Sequence, residues 1–465
     1  MKNTVIYDYE EFENVINEIM KKSISNTYPI IEIDNNWKTE CNLPIKHYSV
    51  GIGMKHIVFL AAFHGAEIIS TEFFIYVMNY IAENEKEFLE ILKEYKLDFI
   101  PMVNPEGYII ATSAIRAIIP RDMSASDIEK ICNKYRLLYK EDDDKAIKNE
   151  ITDNKELKNY QSMFKDATYN DIPDKYKKIK NKMKELYQKY KIPNGAIIAW
   201  CANANGIDLN ANTKYNRNIT KIEKGEKLYM PLRYSNIRFS EPGPINCPYD
   251  KAKGFLQEKE NTFISEFLEE LFNSNKLSAI FNYHSVGGVI DQRPSELEDD
   301  LKDRNINLKH KSLNNYMFAK FYQSETCKNM NNKDEKYVIL KDSSVIKTLN
   351  GLYRVLYPLD ILIELSELGA NPIGPYSDTE NYNSIMKSNL EAIKKCISYL
   401  NLSNKISDII YYYIEEKYKE ADKDEFINKG YELIDKIYEI SEEYIQSGED
   451  EERIITHIKK ILNND

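Results

Sequence analysis

Short apolar runs alternate with longer amphipathic segments along most of this chain of 465 residues. The apolar runs, with two segments near the amino terminus, predict β-strands at residues 29–34, 44–52, 56–62, 97–103, 278–283 and 361–365. Apolar residues repeated at helical spacing predict helices at residues 67–83, 261–273 and 380–400. Runs as short and apolar as 278–283 are typical of strands in the middle of a covered sheet. The order of these elements therefore predicts an α/β fold with helices on both faces of the sheet.

Two regions depart from this pattern. Residues 122–191 are rich in Lys, Glu and Tyr at helical spacing, which predicts a helical subdomain inserted between two elements of the core. Residues 401–465 are charged, with apolar positions at helical spacing in 406–413 and 427–444, and predict an appendage of two or three helices. We therefore expect a main domain over residues 1–400, with the insertion forming a rim or lid. The appendage is expected to pack on the core or on a second copy of the chain.

Polar side chains capable of metal and proton chemistry follow several of the predicted strands. His64, Asn104, His284 and Glu364 all lie at or just after a strand's end, where ligands gather in open α/β sheets. His64 and Glu67 share a predicted strand-to-helix turn, and His284 is the natural third member of the set. Two imidazoles and one carboxylate leave a position open for water, which is the arrangement of a catalytic zinc site with one ion.

Each of these residues also has a plainer interpretation. A His-x-x-Glu pair arises easily by chance, and Glu67 in a polar turn would simply cap the following helix. His284 at a strand end would be a hydrogen-bonding group of the core. Glu364 lies among apolar residues, and an unpaired carboxylate there is costly. Either a nearby cation, with Glu364 as general base, or a structural ion pair would remove that cost.

Composition narrows the class of protein. The net charge of −11 argues against a nucleic-acid-binding surface, and no run of about 18 apolar residues predicts a membrane span. The six cysteines are spread along the chain without a Cys-x-x-Cys pair, as expected for reduced thiols. We therefore expect a cytoplasmic protein with no nucleic-acid or membrane partner, although a chain from which a signal had been removed would show the same pattern.

Five motifs in order resemble those of the zinc carboxypeptidases, the funnelin-type metallocarboxypeptidases, and indicate a divergent, bacterial-type member. They are HGAE at residues 64–67, VNPEGY at 103–108, GIDLNAN at 206–212, NYHS at 282–285 and IELSELG at 363–369. The resemblance spans about residues 7–400 without the insertion, and it implies a mixed, mostly parallel twisted sheet. It also implies that His64, Glu67 and His284 bind one Zn²⁺, that Glu364 is the general base and that Asn210 helps to hold the substrate.

The chain departs from the family at two positions that bind substrate. The family arginine that grips the substrate's terminal carboxylate is replaced by Ala211, and an alanine cannot make that bidentate contact. The arginine that stabilises the oxyanion aligns with Cys201, a poor replacement. Arginines that would substitute are Arg116, Arg217 and Arg354, and candidates for the family's mobile tyrosine are Tyr337, Tyr353 and Tyr357. Of these we predict Arg354 and Tyr353 as substrate-binding residues.

Three functions remain open on this basis. The leading hypothesis is a zinc-dependent peptidase that hydrolyses a peptide or isopeptide bond, with a γ-glutamyl bond in a cell-wall peptide as one candidate. The second is a zinc amidohydrolase of the aspartoacylase or succinylglutamate desuccinylase type, which shares the His-Gly-x-Glu start. The third is a non-catalytic zinc-binding protein that uses its added helices for binding, as the losses at Ala211 and Cys201 would allow.

Overall fold

The computed structural model describes residues 6–120, 123–124, 126–128, 130–131, 166–190, 192, 194–210, 212, 249–250, 254–255, 257–285, 288–292, 307–330, 337–341, 360–365, 379–446 and 450–463. Its strands are β1 (Ile31–Glu32), β2 (Tyr48–Val50), β3 (Lys55–Ala61), β4 (Tyr95–Ile100), β5 (Tyr249–Asp250), β6 (Gly254–Phe255), β7 (Leu277–Ser285), β8 (Val289–Asp291), β9 (Val338–Ile339) and β10 (Asp360–Leu365). Its α-helices are α1 (Tyr9–Ser23), α2 (Ile68–Glu83), α3 (Leu89–Glu94), α4 (Pro105–Ile118), α5 (Lys177–Tyr190), α6 (Lys259–Asn273), α7 (Leu308–Asn329), α8 (Thr379–Ser398), α9 (Leu400–Lys417), α10 (Lys423–Gln446) and α11 (Glu451–Asn463).

Eight strands form one mixed sheet in the order β1-β2-β4-β3-β7-β10-β8-β9. The four central strands β4, β3, β7 and β10 are parallel, while β2 and β8 flank them in the antiparallel sense. All four central strands therefore end at one edge of the sheet, where ligand sites of α/β proteins lie. The predicted α/β fold is confirmed. The edge strand β1 and its neighbour β2 are shorter than predicted, and Pro44 forms an isolated bridge with Lys38 instead of belonging to β2.

Alternate residues of the central strands form two cores, one on each face of the sheet. On one face, Val58 and Ile280 belong to the apolar cluster that includes Ile264 of α6. On the other, Phe59 stacks on Phe99 of β4, with ring centroids 4.7 Å apart. Fully burying each such side chain contributes about 1.5–3 kcal/mol. Because both faces are covered, the middle parts of β3, β4 and β7 are largely apolar, and this is why their sequences stand out.

The turns at the carboxyl edge approach one another backbone to backbone. A Cβ on Gly65 would lie 2.0 Å from the carbonyl carbon of Gly107. A Cβ on Gly107 would lie 2.5 Å from Nδ2 of Asn104 and 2.6 Å from the carbonyl oxygen of Ala202. The glycines of the HGAE and VNPEGY motifs therefore allow three chain segments to meet beside the ends of β3 and β4.

The carboxyl-terminal region consists of α9, α10 and α11, which agrees with the predicted two or three helices. Helix α10 packs closely on α7 of the main domain, where a Cβ on Gly430 would lie 2.1 Å from Cδ2 of Leu313. In the inserted region, the part that the structure describes includes α5, and residues 132–165 lie outside the described part of the chain. The predicted boundaries of the domain and the lid role stay predictions. No described helix combines the length and apolar character needed to cross a bilayer.

Candidate metal centre

The two predicted imidazoles and the predicted carboxylate meet at the carboxyl edge of the sheet. His64 lies in the turn after β3, Glu67 at the start of α2, and His284 near the end of β7. Nδ1 of His64 is 2.6 Å from one carboxylate oxygen of Glu67, and Nδ1 of His284 is 2.9 Å from the other. The imidazole ring centroids are 5.0 Å apart. One ligand atom from each residue lies within 4.8 Å of the other two, which is the spacing that a shared metal ion requires.

The carboxylate of Glu67 contacts the two imidazoles and does not cap the helix that follows it. Glu67 occupies the N-cap position of α2 but makes no capping hydrogen bond with its side chain. Its carboxylate is only 1% exposed, so it depends on nearby positive charge for its stability. The simple helix-cap interpretation of this residue therefore does not describe its contacts.

Asp208 contacts the outer nitrogen of the first imidazole. Its Oδ1 lies 3.2 Å from Nε2 of His64 and also accepts the backbone N–H of Asn210 at 2.9 Å. A carboxylate that accepts the Nε2 proton leaves Nδ1, which faces Glu67, free to coordinate a metal. Nothing in the residue pattern predicts a role for Asp208, although this residue lies two positions before Asn210 in the GIDLNAN motif.

The electrostatics of the site favour a cation between its carboxylates. Burial lowers the pKa of His64, but the charges of Glu67 and Asp208 outweigh it and raise that pKa well above its usual value. Burial raises the pKa of Glu67, yet the two imidazoles lower it to about 2. The same negative charge would stabilise a divalent ion, which must displace the proton from His64 to bind. The nitrogen and oxygen donors of His64, Glu67 and His284 fit zinc.

The VNPEGY motif braces this site rather than supplying a reactive group. Asn104 donates from Nδ2 to the carbonyl oxygen of Phe63 at 3.0 Å and caps α4 by accepting the N–H of Gly107 at 2.8 Å. Glu106 accepts backbone N–H groups from Cys41 at 2.7 Å and from Ala204 at 3.1 Å. These buried contacts tie the turn before His64 to the segment that carries Asp208.

Asn210, whose backbone N–H contacts Asp208, has a buried side-chain amide. Its side chain is 3% exposed, and neither Oδ1 nor Nδ2 has a hydrogen-bond partner among the residues that the structure describes. Leaving buried polar atoms unpaired costs about 1–3 kcal/mol, so a bound group that pairs with them gains by that amount. This supports the prediction that Asn210 holds substrate.

The described residues considered in place of the family's arginines and mobile tyrosine contact other parts of the protein. Cys201 is buried and its thiol donates to the carbonyl oxygen of Ala199 at 3.5 Å. Arg116 pairs with Glu11 of α1 at 2.6 Å. The hydroxyl of Tyr337 accepts a hydrogen bond from Asn389 in the core. The predictions on Ala211, Arg217, Tyr353, Arg354 and Tyr357 lie outside the described residues.

The predicted general base is brought into register with the third metal-binding residue. In the parallel ladder between β10 and β7, Glu364 is paired with His284, and on the antiparallel side it is paired with Val289 of β8. The backbone of Glu364 therefore lies in the strand next to His284.

The remaining histidines have partners elsewhere. His47 and His56 both contact the buried carboxylate of Asp98, at 2.9 and 2.6 Å. His310 contacts Asp408, and His457 stacks on Tyr444 with ring centroids 4.4 Å apart. Within the described part of the chain, the only set of three or more metal-ligating residues with suitable spacing is the one formed by His64, Glu67 and His284.

A protein-family model matches this chain. The family model described as zinc carboxypeptidase matches residues 31–353, which is more than half of the chain. No curated protein matches the chain.

Among solved structures, a carboxypeptidase A from Helicoverpa armigera is 12% identical with a TM-score of 0.48, and the match covers 87% of this chain and 76% of that one. Bovine thrombin-activatable fibrinolysis inhibitor, in complex with tick carboxypeptidase inhibitor, is 15% identical with a TM-score of 0.46, over 85% and 98%. A metallo-carboxypeptidase from Burkholderia cenocepacia is 9% identical with a TM-score of 0.38, over 84% and 69%. Because these likenesses are distant, the assignment rests on the family model. The chain belongs to the zinc carboxypeptidase family and is a carboxypeptidase-like metallohydrolase.

Proposed function

We propose that this protein binds one Zn²⁺ through His64, Glu67 and His284 and hydrolyses a peptide or isopeptide bond, with Glu364 as general base. The observation that carries the proposal is the convergence of both Nδ1 atoms on the Glu67 carboxylate, at 2.6 and 2.9 Å. When bound there, zinc would supply a Lewis acid and lower the pKa of a coordinated water from ~15.7 towards ~7.

The protein's own residues would position the reacting groups. Glu364, in the strand beside His284, would take the proton of the attacking water and return it to the leaving amine. Asp208 would hold the His64 ring in the tautomer that binds metal. Asn210, whose two amide atoms have no partner among the described residues, would bind a carbonyl or amide group of the substrate. The buried setting strengthens each of these contacts, since the local dielectric constant is low.

The same residues favour a substrate that lacks a tightly clamped terminal carboxylate. The two aligned positions that carry family arginines are Ala211 and Cys201, and the Cys201 thiol is engaged with a backbone carbonyl. A neutral amide such as Asn210 discriminates by hydrogen bonding rather than by charge. An isopeptide or γ-glutamyl bond, in which the group beyond the scissile bond is polar rather than a free α-carboxylate, fits this arrangement.

The experiment compares metal content and turnover in wild type and Glu364→Gln. Purified protein is expected to contain one zinc per chain, and Glu364→Gln should retain that zinc but lose at least about 100-fold in kcat, as for removal of a general base. Glu270→Gln, at an exposed position on α6, is the matched control and should leave both unchanged.

The substrate panel holds C-terminal peptides, γ-D-glutamyl peptides and N-acyl amino acids. Turnover of γ-D-glutamyl peptides above the others supports the proposed specificity. Turnover of N-acyl amino acids alone would replace the peptidase proposal with the amidohydrolase. Stoichiometric zinc without turnover of any class would favour the binding protein.

A further inference from the structure

The segment that carries Asp208 and Asn210 is itself neither strand nor helix. We call residues 203–212 the site loop; residue 211 lies outside the described part. The loop folds on itself through Asn203, whose Oδ1 accepts the backbone N–H groups of Asn205 at 3.0 Å and Ile207 at 3.1 Å. A loop of this kind keeps its shape only if further side chains fix it from outside.

One carboxylate, on Glu258, fixes the beginning of the site loop. Its Oε2 accepts the side-chain amide of Asn203 at 2.8 Å and that of Asn205 at 2.7 Å. Glu258 occupies the N-cap position of α6, yet its side chain does not cap the helix and is turned to the loop instead. Hydrogen bonds to a charged oxygen are stronger than those between neutral groups, so this single atom holds two anchors.

The start of α6 also fixes the end of the site loop. The backbone N–H of Glu258 donates to Oδ1 of Asn212 at 2.7 Å. The buried amide of Asn261 donates to the carbonyl oxygen of Leu209 at 2.7 Å and to that of Asn212 at 2.6 Å. The anchored residues thus lie on both sides of Asn210, whose own amide pairs with no residue in the described part of the chain.

Placing the Glu258 carboxylate here costs electrostatic free energy, because two other acidic side chains lie nearby. Glu260, two residues after Glu258 in the first turn of α6, is fully buried beside Glu106 and Glu258. Lys259, between Glu258 and Glu260 in the sequence, faces solvent. Burial first, and then the charges of Glu106 and Glu258, raise the pKa of Glu260 to about 8. The Glu258 carboxylate therefore lies in an acidic neighbourhood. That cost is offset by the two amide hydrogen bonds that its oxygen accepts.

We propose that Glu258 is a positioning residue, which sets the place of Asp208 and Asn210 relative to the metal-binding side chains by holding the site loop. Glu258 itself touches neither substrate nor metal in this scheme. The kinetic part rests on the proposed function, because it takes Asn210 as a substrate-binding group. The structural part, that the loop and the Asp208 contact with His64 depend on Glu258, stands without it.

The test uses full-length, zinc-loaded protein and three variants at one position. In Glu258→Ala we expect faster amide hydrogen exchange confined to residues 203–212, and KM raised about tenfold with kcat within about twofold. We also expect the zinc Kd, measured by competition with a chromophoric chelator, to rise about tenfold. Glu258→Gln keeps an oxygen that can accept both amides but loses the charge that strengthens these bonds, so it should lie between wild type and Glu258→Ala. Glu258→Asp has a side chain shorter by one methylene, so its exchange rates, KM and zinc Kd should lie between those of wild type and Glu258→Ala. It replaces the alanine variant in the test if that variant does not fold.

Glu266→Ala, at an exposed position on the same helix, is the matched control and should change none of these quantities. Wild-type exchange of residues 203–212 in Glu258→Ala would overturn the proposal, and so would faster exchange with unchanged KM and zinc Kd. If wild-type protein turns over no peptide, the proposed function fails separately. Exchange and zinc Kd then decide the role of Glu258.

Discussion

Replacing Asp208 by Asn should weaken zinc binding although the residue touches no metal. Oδ1 of Asp208 is 3.2 Å from Nε2 of His64 and 2.9 Å from the backbone nitrogen of Asn210. An asparagine of the same shape removes the charge and presents an amide that donates to Nε2. That contact favours the tautomer with a proton on Nδ1, the atom that faces Glu67.

The size of the effect follows from two opposing terms. Losing the carboxylate lowers the raised pKa of His64 and so weakens the competition from protons. A divalent ion gains more than a single proton from the same negative charge, however, so the net result is weaker zinc binding. Removing a carboxylate partner of a metal-binding histidine typically costs 10–100-fold, and we expect the zinc Kd of Asp208→Asn to rise by about that factor, or about 1.4–2.7 kcal/mol.

The assay is competition with a chromophoric chelator at pH 7.5, with folding checked by circular dichroism. Asp408→Asn is the matched control, because Asp408 contacts His310 in a pair away from the site. A zinc Kd in Asp208→Asn within twofold of wild type would refute the assigned role of Asp208. An equal loss in the control would point to a general effect of the substitution.

Two further substitutions test the framework. Asp98→Asn breaks the buried contacts with His47 and His56 and should destabilise the fold by about 3 kcal/mol in urea unfolding at pH 7. Burial raises the pKa of Asp98, but its two imidazole partners bring it below the ordinary 3.8, so this stability is present above pH 3.8 and is lost only as the pH falls further. The variant should therefore show a flatter dependence below pH 4, and an unchanged acid profile would count against this pairing. Gly65→Ala places a Cβ 2.0 Å from the backbone of Gly107, so it should lower the free energy of unfolding by about 3 kcal/mol and weaken zinc binding. Wild-type stability with an unchanged zinc Kd would show that the three turns do not meet as described.

The sequence revealed the parts of the fold in which local pattern and burial agree. Strands β3, β7 and β10 were predicted to within about one or two residues at most ends, since their sequences are largely apolar. Helix α7 was missed because α8, α9 and α10 surround it: Leu313, Phe318 and Phe321 are buried on different sides, so no single apolar stripe marks it. The short strands β5, β6, β8 and β9 carry too few residues to show a period.

The site likewise contains residues that the sequence predicts and residues that it does not. His64, Glu67 and His284 were predicted because they follow strands that meet at one edge and stand in recognisable motifs. Asp208 was not, since an acidic residue in a loop gives no sign of a partner 144 positions away. The same holds for Glu258, whose two amide partners are fixed only by the folded loop.

X-ray absorption at the zinc edge of the purified protein addresses the metal centre itself. We predict one zinc per chain, with two imidazole nitrogens at ~2.0–2.1 Å, carboxylate oxygen at ~2.0–2.2 Å and no sulfur neighbour. The imidazole signal should be reduced in His284→Ala. Zinc absent from the protein, or a sulfur neighbour at ~2.3 Å as Cys201 would supply, would contradict a site built from His64, Glu67 and His284.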